Sequence, residues 1–299
     1  MTAERHAQAA AEIAQAVFPS DRRGVRAALS VLQHDVFAQA AEAIRDHPPG
    51  VALIATGFPV CDVGETDGPP GARALGNAMA TLGWTIVPVA CRTTQSAVRA
   101  VFDAPYLVET VDADSTKLSM AACTALLDRY NPHLVVAIER PGMTAKGRLV
   151  NMHGNDLTSK TAALDGLMQA PLTIAIGDGG NEIGMGSISN FLATQGILND
   201  PCVTPATHLL LASVSNWGAY GLTAMLALLT QTDLLPSASD DAAWINAMRQ
   251  VGAADGVTGE LGASTVDGFP SERTAAVLAH LSDIQHRYAG VQQKATQEP

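Results

Sequence analysis

Leu172–Thr173–Ile174–Ala175–Ile176 runs directly into Gly177–Asp178–Gly179–Gly180–Asn181–Glu182–Ile183–Gly184–Met185–Gly186. A short apolar run cut off by a glycine-rich turn reads as a buried strand, and the helical spacing of Ile188–Ile197 completes a strand–turn–helix unit. Five glycines in ten residues form a nest of backbone N–H groups able to hold an anion. The dinucleotide fingerprint is excluded, because a G-x-G-x-x-G frame begun at Gly177 ends on Glu182, and no GK[ST] follows to make a P-loop. What the turn adds is oxygen. Asp178, Asn181 and Glu182 are the ligand types that hard cations such as Mn²⁺ or Mg²⁺ select.

The same unit recurs on both sides of this stretch. Strands are expected at Val51–Ala55, Thr85–Val89, Tyr106–Val111, Leu134–Ile138, Leu172–Ile176 and His208–Val214. Helices are expected between and after them at Ala72–Leu82, Thr94–Phe102, Ser115–Arg129, Ser159–Gln169, Ile188–Ile197 and Trp217–Leu229. Continuous apolar strands alternating with helices predict a mostly parallel sheet covered on both faces, an α/β, doubly wound, three-layer sandwich. Ahead of it, Ile13, Val17, Leu29, Leu32, Val36, Phe37 and Ala40 keep three- and four-residue steps, broken near Pro19. The expectation is one domain over 1–299, with a helical extension (1–47), a catalytic core (51–268) and a C-terminal helix (269–299). The extension is also a candidate contact for a homo-oligomer.

Composition narrows the function. Hydrophobic residues make up 47% and charged residues 16%, which excludes a disordered chain. A net charge of -11 with no basic run excludes a nucleic-acid groove. No run of about 18 apolar residues exists to span a membrane. Cys61, Cys91, Cys123 and Cys202 lie far apart without a CxxC pair, as free thiols of a reducing compartment do. Glu4, Arg5 and Glu12 interrupt the N-terminus where a signal core would lie, so the expected location is cytoplasmic.

In open α/β sheets ligands bind beyond the carboxyl ends of the strands, so polar clusters should follow strands. Glu65–Thr66–Asp67–Gly68 follows the first strand, and Glu139–Arg140–Pro141–Gly142 follows the fourth. A polar loop from Asn151 to Asp156 comes next, and Ser215–Asn216–Trp217 follows the sixth strand. Asp255–Gly256 and Val266–Asp267–Gly268 close a late loop. Taken singly, each reads equally as a capping turn, a surface salt bridge or a capped helix. Together, Glu65, Asp67, Glu139, Asp178, Glu182 and Asp267 converge on one rim, and burying so many carboxylates is costly unless a cation neutralises them. A divalent metal with an open position for a substrate oxygen is the expectation. No HExxH and no GxSxG occurs, which weakens zinc-protease and serine-hydrolase readings.

TGFPV with ETDGPPGA, then ERPG, GDGGNEIGMG, SNWGAYGL, DGVTG and VDG occur in this order between Val51 and Gly268. In this the sequence resembles the C-terminal catalytic domain of the D-glutamate cyclases, in its stand-alone bacterial form. One departure is His153, where the resemblance would place an Arg. The resemblance implies conversion of D-glutamate to 5-oxo-D-proline and water, in a lyase using Mn²⁺ or Mg²⁺. It implies a metal on Glu65, Asp178, Glu182 and Asp267, and Glu139, Asp67 or Asp178 in catalysis. The substrate would be held by Arg140, Asn151, Asn216 and the nest of Gly179, Gly180 and Asn181. A metal-dependent phosphatase of a small metabolite is the rival, with phosphate in the nest, although Lys160 and Arg148 make a sparse clamp. A non-catalytic metabolite sensor would bind without turnover.

Overall fold

The computed structural model describes residues 3–112 and 115–295. Two helices, α1 (Ala3–Ala16) and α2 (Val36–Asp46), precede β1 (Val51–Thr56). A short hairpin of β2 (Pro59–Val60) and β3 (Val63–Gly64) leads to α3 (Pro69–Thr81). Then come β4 (Thr85–Cys91), α4 (Gln95–Val101), β5 (Glu109–Val111), α5 (Thr116–Tyr130), β6 (Leu134–Ile138) and β7 (Thr173–Gly177). The chain continues through α6 (Ser189–Thr194), β8 (His208–Leu211), α7 (Ser215–Thr230), α8 (Ala238–Gln250) and α9 (Ser271–Ala295).

Six strands form one parallel sheet in the order β5-β4-β1-β6-β7-β8. The pleat sends alternate residues of each strand to opposite faces. Ala52 and Ile54 of β1 join Ile174, Ile176 and Leu210 in a core with α2, α3, α7 and α9. Leu53 and Ala55 instead meet Cys123 and Leu126 of α5 on the other face, and Ala175, Leu209 and Leu211 meet Leu192 of α6. Both faces are therefore apolar and covered, which is why the strands read as unbroken hydrophobic runs. Each fully buried Leu or Ile contributes about 1.5–3 kcal/mol relative to exposure. Counting along the chain, the order runs outward in both directions from β1 and β6. That gap is the topological switch point, where the flanking loops part and leave a crevice.

The expected architecture is observed, with local differences that have physical causes. The N-terminal segment is three pieces, α1, a 3-10 turn at Val25–Ser30 and α2. It is sewn into the main core through Ile13, Val17, Phe37 and Ile44. The helix expected at Ser159–Gln169 is reduced to a 3-10 turn at Asp165–Gln169. Polar anchoring wins there: Thr161 Oγ1 and the Ala162 carbonyl accept hydrogen bonds from Arg140, and Asp165 accepts from Met143 N and Thr204 Oγ1. The third expected strand shortens to Glu109–Val111. The sixth ends at Leu211, because Ser213 is tied to the N-terminal segment through Val17 O and Ser20 N. Met1, Thr2 and residues 296–299 of the expected terminal helices lie outside the described residues. Among those described, no helix is long and apolar enough to cross a membrane.

Candidate active site

At the carboxyl end of β7 the chain turns through Asp178–Gly179–Gly180. The three N–H groups of this turn donate to the Glu182 side chain, at 3.1 and 2.7 Å to Oε1 and 2.7 Å to Oε2. The nest is thus filled from within by a carboxylate of its own loop. That fixes Asp178 rigidly at the strand end and withdraws Gly179 and Gly180 from binding a substrate anion or phosphate. Asn181 and Glu182 still line the crevice.

Glu139 directly follows β6 with φ 44, a left-handed conformation that costs a non-glycine residue about 1 kcal/mol or more. Glu139 faces the crevice, whereas Arg140 is fully buried behind it. The Arg140 guanidinium donates to Gly57 O at 2.7 Å, Thr161 Oγ1 at 2.6 Å and the Ala162 carbonyl. The expectation that Arg140 grips a substrate is therefore not met, because its terminal donors are spent on backbone and hydroxyl oxygens. Cys91 lies against the same guanidinium. Burial alone would raise its thiol, but Arg140, Thr161 and Thr94 hold it down to about 6.

The loop after β1 brings in Glu65 and Asp67, and the N-terminus of α7 fixes it. Asp67 Oδ1 accepts from Gly68 N (2.9 Å) and Asn216 N (2.8 Å), and Oδ2 accepts from Ser215 N (2.8 Å). An acid at a helix N-terminus meets the unsatisfied N–H groups and the positive end of the dipole. Asn216 does not face the crevice. Its Oδ1 accepts from Gly68 N and Gly71 N, and its Nδ2 donates to Thr66 O, so it holds the loop rather than a ligand. Ser215 Oγ donates to Glu139 Oε2 at 2.6 Å.

The late loop supplies Asp267. Asp255 organises it by accepting from Val257 N, Thr258 N, Thr265 Oγ1 and Gly268 N. Asp267 itself takes φ 52, and its Oδ1 is buried without a hydrogen-bond partner. Gly256 is required here, since a Cβ would stand 1.9 Å from Glu65 Oε2 and 2.8 Å from Asp267 Oδ1.

All six predicted acids are thus brought together, each at most 5% exposed. Facing them is a residue absent from the sequence expectations, Arg23, on the segment between α1 and the first 3-10 turn. Its Nη1 bridges Asp178 Oδ2 and Asp267 Oδ2, the latter at 2.8 Å. The visible signal for it was a pair of arginines in a helix break of an acidic chain. Arg22 at the mouth stacks on Phe269 and donates to Asp267 O, and Lys160 pairs with Asp62. The crevice holds about 720 Å³ and is lined on one side by the loop from Asn151 to Lys160. Asn151 lines it, but its Oδ1 is occupied by His153 N and Asn155 N. His153 is exposed at the mouth.

The acids are electrostatically frustrated. Burial first, and then Asp267, push Asp67 up to about 7 against its helix N–H bonds. Glu65 is raised well above the usual carboxylate range by burial and then by Asp267 and Asp67, and Glu139 by burial and then by Glu182. Burial also raises Asp178, although Arg23 pulls the other way. Two triads, Asp67/Asp178/Asp267 and Glu139/Asp178/Glu182, offer oxygens within 4.8 Å of one another. A hard divalent cation fits this donor set, which contains carboxylate oxygen alone, an unpartnered buried Asp267 oxygen and uncompensated negative charge.

Fold and site define a doubly wound α/β protein with a carboxylate-lined crevice at the switch point of its sheet. Residues 15–282 match the family model described as "D-glutamate cyclase-like, C-terminal", and the chain belongs to that family. It is 28% identical over 279 residues to human "D-glutamate cyclase, mitochondrial". That alignment covers 78% of this chain and 45% of the human protein, so the chain spans about half the length of this relative.

Proposed function

We propose that the protein is a hydro-lyase that cyclises D-glutamate to 5-oxo-D-proline, with a divalent cation, Mn²⁺ or Mg²⁺, held at Asp178 and Asp267 and completed by Asp67. The observation that carries this reading is the buried acid cluster itself, in a member of the D-glutamate cyclase-like family. Asp178 and Asp267 are preferred over Glu182 because the Glu182 oxygens already accept three backbone N–H bonds, whereas Asp267 Oδ1 has no partner.

In the reaction the amine nitrogen bonds to the γ-carbon and one C–O bond of the γ-carboxyl breaks. The two protons surrendered by the ammonium leave with that oxygen as water. The cation, when bound, withdraws charge from the γ-carboxyl, which is otherwise a poor electrophile. Glu139 takes the ammonium proton. It stands on the crevice wall, burial and the neighbouring acids raise its affinity for a proton, and Ser215 fixes one of its oxygens. Glu65 accepts no side-chain hydrogen bond among the described residues, and receives or returns the second proton at the leaving oxygen. Asn181 and Arg22 flank the space left for the rest of the substrate.

The test is turnover by chelator-stripped protein given D- and L-glutamate, with and without Mn²⁺ or Mg²⁺. Lactam formed from the D-isomer and restored by cation is the expected outcome. A lactam yield indifferent to chelator would remove the cation from the reading, and no lactam under any condition would remove the activity.

A further inference from the structure

Arg23 differs from an ordinary buried arginine in what surrounds it. Apart from a weak 3.4 Å contact of Nε with Met152 Sδ, its hydrogen bonds among the described residues go to Asp178 and Asp267. Those two acids are two of the three assigned to the cation. Its side chain is 14% exposed, it lines the crevice, and its backbone belongs to no helix or strand. Arg23 holds one oxygen of each acid, and two positive charges a few ångströms apart repel, so a cation that arrives at Asp178 and Asp267 weakens the guanidinium's hold and favours its release. The crevice is the open side, and a guanidinium released into it meets whatever acid is bound there, in a fork geometry suited to carboxylate.

We propose that Arg23 is an exchangeable counter-ion: the divalent cation takes Asp178 and Asp267 from it, and the released guanidinium then holds a carboxylate of the acid substrate. This rests on the cation reading above and assigns the site a specificity residue. Cation and acid then bind with positive coupling, because each draws Arg23 away from the place the other needs it to leave.

The experiment is Mn²⁺ titration of the chelator-stripped full chain, by calorimetry and by the Mn²⁺ paramagnetic resonance signal. It is run with and without glutarate, a five-carbon diacid that has no amine and cannot cyclise. For the natural chain, glutarate should tighten Mn²⁺ binding about tenfold, in the usual range of such couplings. In Arg23→Gln, Mn²⁺ should bind about tenfold tighter without glutarate, and glutarate should no longer matter. Arg23→Lys keeps the competing charge and should stay close to the natural Mn²⁺ affinity. If Arg23→Gln unfolds without cation, its recovery on Mn²⁺ addition is the expected result, and no recovery overturns the proposal. Natural chain that binds Mn²⁺, beside an Arg23→Gln variant that binds it equally or more weakly, also overturns it while the cation reading stands. No Mn²⁺ binding by the natural chain sinks both.

Discussion

Behind the carboxyl edge of the sheet, Arg140 spends its terminal N–H groups on Gly57 O, Thr161 Oγ1, Ala162 O and Cys91 Sγ, inside the fold and away from the crevice. In front of the same edge, a few residues away in space, six acids crowd around Arg23 and remain under-neutralised. Both regions bury charge, yet they do so for opposite ends. A charge whose terminal donors are met by fixed groups of the interior holds the fold together. A set of charges that raise one another's proton affinity is held in place by the fold and is relaxed by something that binds. The distinction is one of energy, and single substitutions separate the two.

The largest expected effect is on Asp178. Asp178→Asn should lower turnover by about a thousandfold or more, which at 1.36 kcal/mol per tenfold is about 4 kcal/mol of transition-state stabilisation. The same variant should raise the urea midpoint of the cation-free protein, because it removes one of six repelling acids. Activity lost together with stability would place Asp178 with Arg140, among groups that hold the fold. Arg140→Met is the counterpart. It strands the carbonyls of Gly57 and Ala162 without donors, and should cost about 3–5 kcal/mol in chemical denaturation. Mn²⁺ affinity of the folded fraction should be unchanged.

The pH dependence of stability sharpens the contrast further. Asp67 is pushed up to about 7, and Glu65, Glu139 and Asp178 are raised as well, by burial first and by their neighbours. In the unfolded chain these groups titrate near about 4. Between those values the folded state holds more protons than the unfolded one, so folding stability falls as pH rises through that window. Cation-free protein should therefore melt several degrees lower at pH 8 than at pH 5.5, by scanning calorimetry. With Mn²⁺ present the acids stay ionised in the folded state, and the slope between the two pH values should largely vanish. A slope that persists with Mn²⁺ would show that the cation does not bind these acids, and no slope in either state would show that Arg23 already neutralises them.

How much of this was legible beforehand follows from what each residue type can signal. The sheet was readable because doubly covered strands must be continuously apolar, and the acids were readable because they follow those strands. Arg140 was misassigned for a physical reason. It neighbours Glu139 in sequence, but successive residues at a strand end point to opposite sides, and Arg140 is the one turned into the interior. Glycine-rich nests invite an external anion, and nothing in the spacing of Gly179 and Gly180 showed that Glu182 would fold back to fill this one. Arg23 left only a faint trace, one of two adjacent arginines in a helix break, because its partners lie 155 and 244 residues away, a pairing that no local pattern encodes. The helix expected at Ser159–Gln169 failed for the same reason, since its backbone and hydroxyls answer to Arg140 rather than to their own periodicity.

Ser215 is where the comparison predicts its smallest and most diagnostic effect. Its backbone N–H serves Asp67 and its hydroxyl serves Glu139, so the side chain touches the site while the main chain holds the loop. Ser215→Ala leaves the first bond intact and removes the second. A hydroxyl that donates to a carboxylate favours the ionised form, so its loss should raise the proton affinity of Glu139 further. The acid limb of the pH–rate profile should then move to higher pH, with turnover on that limb down about tenfold and full activity approached on its alkaline side. Thermal stability should change by about 1 kcal/mol or less, the net worth of one hydrogen bond. A uniform drop in rate with an unmoved acid limb would mean that Ser215 positions the substrate and that Glu139 is not the base. A moved limb would tie the proton transfer to the acid that the strand end of β6 holds in its left-handed turn.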